Sequence, residues 1–262
     1  MRDLTQVSGA VWVASSPTWL TTTTIVVAGD GGCLLVDPGL LPAELTGLAA
    51  ELTARGWHIR AVFSTHPHWD HVLFCHAFPP VARWATATAA RWARQHADEL
   101  LAEAARDLPG HTWDIVGGTT PLPGAGSAVP WDGPAATVVD TAAHAPGHAS
   151  LLLPGERVLV AGDLLSDIEV PLLDPGAADP VGDYRRVLRD LTAVVEGCDV
   201  VVPGHGRVTD GSGAARRIAA DLRYLDDLEA GSAPADPRLV DPRVRADHES
   251  QARGLRRFSH GR

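Results

Sequence analysis

Four apolar runs in this chain end in the same way. Ala61-Val62-Phe63 leads into Ser64-Thr65-His66-Pro67-His68-Trp69-Asp70-His71, and Thr137-Val138-Val139 into Asp140-Thr141 and then Ala145-Pro146-Gly147-His148. Val158-Leu159-Val160-Ala161 leads into Gly162-Asp163, and Val200-Val201-Val202 into Pro203-Gly204-His205. Short β-branched runs stopped by Gly or Pro read as buried strands. Each run therefore puts a histidine or an aspartate at a strand end, where a rigid frame holds functional side chains. Ligands at strand ends can converge on one edge of a sandwich, where sites usually sit.

The first of the four is the most specific. With 12 His in 262 residues, three histidines and an aspartate within six positions, His66 to His71, exceed what composition alone produces. Pro67 biases His66 toward an extended conformation, and in an extended chain residues i and i+2 project to the same side. His66 and His68 are thereby aimed at one ion. Asp70 and His71 follow where the chain can turn into a helix, pointing toward a second. Imidazoles with carboxylates suit zinc, and iron or manganese are also accommodated. Taken singly, the other three turns carry ordinary turn residues; taken with the first motif, they read as parts of one metal centre.

Further strand-like runs occur at Gly9–Val13, Thr24–Ala28, Cys33–Val36, Ile59–Phe63, Val81–Ala85 and Leu151–Leu153. Helical patterns cover Pro42–Arg55, Thr86–Asp107, Val181–Glu196 and Gly213–Glu229. An antiparallel start followed by alternating strands and helices points to an α/β sandwich of two sheets with helices outside. One domain over residues 1–230 is expected. Beyond it a Pro-rich link leads to a terminal helix at Arg243–Phe258, which either packs on the domain or extends from it as a dimer arm. The Gly- and Pro-dense stretch Pro109–Pro134, with Trp113 and Trp131, is either a disordered insertion or a lid.

Charge and composition exclude several classes. A net charge of −10 offers no basic field for a nucleic acid or an anionic membrane. All 22 cations are Arg, and the chain has neither Lys nor Asn, so Schiff-base, P-loop-lysine and Asn-oxyanion chemistry are absent. Codon bias accounts for the pattern. The three cysteines, Cys33, Cys75 and Cys198, are scattered and odd in number, which reads as buried small hydrophobes rather than disulfides. The start lacks a signal-peptide pattern and no apolar run approaches a membrane span, so the chain reads as cytoplasmic. The expected partner is a small-molecule substrate.

Over about residues 9–210 the sequence resembles the metallo-β-lactamase superfamily. The resemblance is carried by Leu35-Val36-Asp37-Pro38-Gly39, Thr65–His71, Pro146-Gly147-His148, Gly162-Asp163 and Pro203-Gly204-His205. It implies an αββα sandwich of two mixed β-sheets flanked by helices. It also implies a dinuclear zinc site with His66, His68 and His148 on one ion, Asp70, His71 and His205 on the other, Asp163 bridging, and Asp37 orienting a ligand from behind. Such a centre is a metal-dependent hydrolase with a bridging hydroxide as nucleophile and Asp70 as a catalytic proton relay. Val72-Leu73 follows His71 where glyoxalase II carries Gly-Gly, and Asp163 stands where true β-lactamases have Cys or Ser. The first departure disfavours a glutathione thioester and the second a β-lactam, which leaves a lactone, ester or thioester of a small, partly apolar metabolite as the leading reading. The alternatives are a mononuclear iron oxidoreductase of the persulfide dioxygenase type and a β-lactam hydrolase. Trp69 is expected to wall the site. Tyr184 is a candidate hydrogen-bond donor to substrate as in related lactonases, with a helix-surface role as the other reading; Arg207 is a candidate carboxylate partner or a solvated surface residue.

Overall fold

The computed structural model describes residues 4–74, 76–113, 115–116, 118–123, 126–232 and 234–259. The chain runs through β1 (Leu4–Gln6), β2 (Val11–Ser15), β3 (Thr22–Val27), β4 (Gly32–Val36), α1 (Pro42–Ala54), β5 (His58–Phe63), the one-turn α2 (Trp69–Val72) and β6 (Leu73–Phe74). It continues through β7 (Ala82–Thr86), α3 (Ala87–Gln95), α4 (Ala97–Asp107), β8 (Ile115–Val116) and β9 (Thr120–Leu122). The second half comprises β10 (Thr137–Asp140), β11 (Ala149–Leu153), β12 (Val158–Gly162), α5 (Pro180–Glu196), β13 (Val200–Pro203), α6 (Gly211–Glu229), a 3-10 turn at Pro237–Val240 and α7 (Pro242–Ser259).

Seven strands form one sheet in the order β1-β2-β3-β4-β5-β7-β9, and four form a second in the order β10-β11-β12-β13. Both sheets are mixed. The first is antiparallel through β4 and parallel from β4 to β9. The second ends in the parallel pair β12 and β13. Parallel neighbours need a crossover, and α1 supplies it between β4 and β5 as α5 does between β12 and β13.

The central strands β4 and β12 are apolar on both faces because both faces are covered. Leu34 and Val36 of β4 meet Leu151, Val160 and Val202 of the other sheet, whereas Cys33 and Leu35 turn outward onto Leu45, Leu48 and Leu52 of α1. On the far side Leu159, Ala161 and Val201 pack against Val187, Leu188 and Leu191 of α5 and Leu225 of α6. The result is the expected αββα sandwich, with one core between the sheets and one beneath each outer helical layer. In β5 a register shift between Cys33 and Leu34 of its partner interrupts the alternation. Ile59 and Val62 therefore face α1 while Ala61 and Phe63 face the second sheet. Truncating a buried leucine such as Leu151 to alanine is expected to cost about 2–5 kcal/mol.

Helix ends follow side-chain chemistry. Asp179 and Asp210 accept N–H bonds from Gly182 and Gly213 and so cap α5 and α6. The single helix expected over Thr86–Asp107 is two, α3 and α4, divided at His96. The His96 ring stacks on Trp92 at 4.1 Å and its Nδ1 bonds the Trp92 carbonyl at 2.9 Å, which draws His96 out of helical geometry. The Pro109–Pro134 stretch is incorporated into the sheets: β9 extends the large sheet beside β7, and β8 pairs with β6. Trp113 is buried there and donates to the Leu40 carbonyl; Trp131 is half-buried and donates to the Pro134 carbonyl.

The C-terminal helix packs on the domain. Val244 is buried in the core under α5 and α6, and Gln251 bonds Pro171, Leu173 and Tyr224. Cys33 and Cys198 are buried and free, and Cys75 lies outside the described residues.

Candidate metal centre

The loops after β4, β5, β12 and β13 meet at one edge of the sandwich. Asp37, just past β4, has φ of 49°, a left-handed conformation that aspartate tolerates better than most residues. Its carboxylate accepts from the Thr65 backbone at 2.8 Å and from Thr65 Oγ1 at 2.7 Å. Thr65 Oγ1 gives its proton to Asp37, so it accepts from His66 Nδ1 at 3.0 Å and leaves His66 Nε2 with a free lone pair. Asp37 thus lies behind the histidine cluster, linked to His66 through Thr65. Asp37 Oδ2 also lies 3.1 Å from His71 Nδ1.

One cluster gathers around His68 Nδ1, which is 3.1 Å from His66 Nε2 and 3.1 Å from His144 Nε2. Asp163 Oδ2 lies 3.4 Å from both His66 Nε2 and His144 Nε2. In the second cluster His205 Nε2 is 3.1 Å from Asp70 Oδ2 and 3.4 Å from His71 Nε2, and His71 Nε2 is 3.2 Å from Asp163 Oδ1. Donors about 2.0–2.2 Å from a tetrahedral ion stand roughly 3.3–3.5 Å apart, so both sets have the spacing of first-row metal ligands. Asp163 contributes to both, and its Oδ1 is buried without a hydrogen-bond donor. An orphaned carboxylate oxygen among converging imidazole nitrogens fits a pair of cations.

Glycine makes this convergence possible. Gly162, at φ of 60°, ends β12 next to a register shift and turns Asp163 inward. A Cβ on Gly204 would overlap Asp163 Oδ1. Backbone carbonyls then orient the ligand rings: His205 Nδ1 lies 3.2 Å from the Trp19 carbonyl, and His144 Nδ1 lies 3.1 Å from that of Leu172. In each ring Nε2 is left for the centre.

His66, His68, Asp70, His71, Asp163 and His205 are brought together. His148 is not, and its place is taken by His144. His148 Nε2 accepts the Asp163 backbone N–H at 3.1 Å, while its Nδ1 bonds the Thr141 carbonyl at 3.1 Å. With both nitrogens engaged, His148 is a scaffold that holds the loop carrying Asp163. The Pro-Gly context that singled it out in the sequence serves a turn: a Cβ on Gly147 would run into the start of α3.

The two clusters differ electrostatically. Burial, reinforced by neighbouring imidazoles, pushes His66 and His144 well below the ordinary histidine range and lowers His68. Burial opposes protonation of His71 too, but Asp163, Asp70 and Asp37 outweigh it and raise His71 well above that range. His205 is raised likewise by Glu169 and Asp163 against its burial. For Asp70, burial favours the neutral acid, yet His71 and His205 hold it down at about 2. Burial favours the neutral form of Asp163 as well, but His71, His205 and His66 drive it well below the carboxylate range.

The clusters floor a pocket of about 550 Å³ walled by Trp19, Trp69, Leu172 and Arg243. Trp69 walls the site as expected, its indole N–H donating to Asp107 at 3.1 Å. Tyr184 does not reach the pocket; it is buried in the core between α5 and α6 because its helix turns that face inward. Arg207 is a surface residue paired with Asp167 at 3.1 Å. Sequence reasoning missed His144, and also Glu169, which lies close enough to His205 and Asp163 to share an ion. Glu169 follows Asp163 by six residues in a loop without motif character, so no local signal marks it.

Comparison with known proteins agrees with this geometry. Residues 17–205 match the family model of the metallo-beta-lactamase superfamily. No match was found among curated proteins. Among solved structures, a metallo-beta-lactamase family protein from Thermus thermophilus is similar with a TM-score of 0.64 and 24% identity, over 85% of this chain and 81% of that one. A metallo-beta-lactamase from Pontibacter korlensis gives a TM-score of 0.62 and 18% identity, over 87% and 100% of the two chains. A stereoselective inverting sec-alkylsulfatase from a Pseudomonas species gives 0.67 and 17%, over 88% of this chain but 42% of the larger enzyme. At these identities the likeness to solved structures is one of fold.

Proposed function

The chain belongs to the metallo-β-lactamase superfamily, and from that premise we propose that it is a dinuclear, zinc-dependent hydrolase of an ester, thioester or lactone bond in a small metabolite. The observation that carries this reading is the shared carboxylate. Asp163 faces three imidazoles on one side and the Asp70, His71 and His205 group on the other, with one oxygen otherwise unpartnered. His66, His68 and His144 would hold one ion, Asp70, His71 and His205 the other, and Asp163 both. When bound, divalent cations supply Lewis acidity toward a carbonyl oxygen and make water a nucleophile at neutral pH.

The chain's own groups do the rest. Asp70 lines the pocket and, held at about 2, is anionic at neutral pH. It is thereby able to accept a hydrogen bond from the attacking water and pass the proton to the departing group. Trp19 and Trp69, whose rings meet edge-on at 5.8 Å, exclude solvent from one side. The rim carries Glu103, Asp107, Glu169 and Asp247 against Arg106 and Arg243. This excess of carboxylates disfavours a sulfate or a β-lactam carboxylate and favours an uncharged acyl bond.

The test is a panel of lactones, acyl thioesters, aryl esters, phosphodiesters, an alkyl sulfate and a chromogenic cephalosporin, each run with and without chelator. Chelator-sensitive turnover of the uncharged acyl substrates is expected. One iron per chain with oxygen consumption, or turnover confined to the sulfate or the cephalosporin, would overturn the reading.

A further inference from the structure

Next to the metal pocket lies a groove of about 480 Å³ between the loop after β12 and the C-terminal helix. The two cavities share Leu172 and Asp247 as lining residues, so they adjoin one another. Leu172 is also the residue whose carbonyl orients His144. The groove therefore begins at the shell of the first metal cluster.

Its shape follows from α7. Asp247, Ser250, Gln251, Gly254 and Leu255 line it with the spacing of 0, 3, 4, 7 and 8 that marks one face of a helix, and the exposed Arg253, 3.8 Å from Glu249, stands at its edge. Eight residues of helix span about 12 Å. The opposite wall is apolar, formed by Leu173, Pro175 and Pro180. Gln251 has its polar atoms satisfied by Leu173, Pro171 and Tyr224, and the Asp247 carboxylate faces Arg243 at 3.9 Å. Gly254 is the telling residue. It stands inside α7, where glycine is the least favoured residue after proline, and a Cβ there would meet nothing within 4 Å. Its small size leaves the groove open where a side chain would begin to fill it.

We propose that this groove is an acyl-chain subsite of the metal pocket, so that the natural substrate is an ester, thioester or lactone carrying a linear apolar chain of roughly eight to ten carbons, the length that spans about 12 Å. The inference rests on the hydrolase reading above for the placement of the reacting carbonyl. The groove lies in part beyond residue 205, where the family match ends, and so belongs to this chain's own C-terminal segment.

The experiment uses the full chain with its metals and p-nitrophenyl esters from acetate to palmitate, with G254F and G254A beside the parent. The expected result is kcat/KM rising about two- to fourfold per added methylene up to eight to ten carbons and no further. G254F should lower the octanoate-to-acetate ratio of kcat/KM at least tenfold, and G254A should lower it by less. A flat chain-length profile, or a ratio that neither variant changes, overturns the proposal. Should no ester be hydrolysed at any length, the hydrolase reading fails, and calorimetric titration of 1-octanol then decides the groove by itself. Saturable binding to the parent that G254F abolishes supports the subsite, and no binding to the parent refutes it.

Discussion

The two halves of the metal centre are built from the same residue types and behave oppositely. His66 and His144 are buried, His68 is half-buried beside them, and desolvation keeps all three neutral. His71 and His205 are equally buried but stand among Asp163, Asp70, Asp37 and Glu169, which draw protons onto them. A neutral imidazole is ready to bind a cation; a protonated one must first lose its proton. The imidazole-rich half is thus a preorganised ligand set, whereas the carboxylate-rich half holds protons in the place of the positive charge that an ion would bring.

The strongest way to break this distinction is to remove the residue both halves share. Asp163→Ala is expected to strip both ions and to lower kcat/KM by more than the ~100-fold that loss of a ligand's supporting partner typically costs. Metal analysis alongside kinetics checks it, and retention of two ions per chain would contradict the bridging role. Next in size is the contrast between two histidines four residues apart. His144→Ala should remove one metal equivalent and leave folding stability nearly unchanged. His148→Ala should cost about 1–3 kcal/mol of stability by orphaning the buried Asp163 N–H, read as a lowered denaturation midpoint. If His148→Ala instead lost the metal without loss of stability, the assignment would revert to the Pro-Gly histidine.

The pH dependence sharpens the comparison further. Protonation of His71 and His205, raised in the metal-free protein, competes with metal binding, so affinity at that half should fall as pH drops through their elevated range. The other half, with its histidines lowered, should keep its ion to more acidic pH. Metal content measured across a descending pH series is expected to pass through a plateau of one ion per chain; simultaneous loss of both would contradict it. The smallest effect is expected at the surface. Arg207→Ala breaks an exposed pair with Asp167 and should change stability by less than about 0.5 kcal/mol and activity by less than about twofold.

Much of the molecule was legible in the residue order. The strands expected from apolar runs all appear, because strands buried on both faces must be continuously apolar and stop where Gly or Pro interrupts the ladder. The Thr65–His71 motif likewise marked its side chains as a cluster able to hold a metal ion. What the pattern did not reveal was decided by particular side-chain and element contacts rather than by strand or helix periodicity. The break at His96 comes from stacking on Trp92, with neither Gly nor Pro to signal it. The inward face of Tyr184 depends on α6 lying across α5. Strands β8 and β9, only two and three residues long, exist because β6 and β7 offer them edges.

The two histidines of the Thr141–His148 loop mark the boundary most clearly. By itself, the sequence determined that strand-end histidines and aspartates able to hold metal ions would gather in a two-sheet sandwich, since residue type, strand periodicity and turn chemistry are local properties. Which histidine of that loop faces the His66, His68 and Asp163 cluster was decided only in three dimensions. There the Asp163 backbone N–H and the Thr141 carbonyl claim both nitrogens of His148, and the Leu172 carbonyl turns His144 inward. A ring nitrogen's availability depends on what its other atoms bond, and those partners lie 7, 15 and 28 residues away, in loops that only the fold brings together.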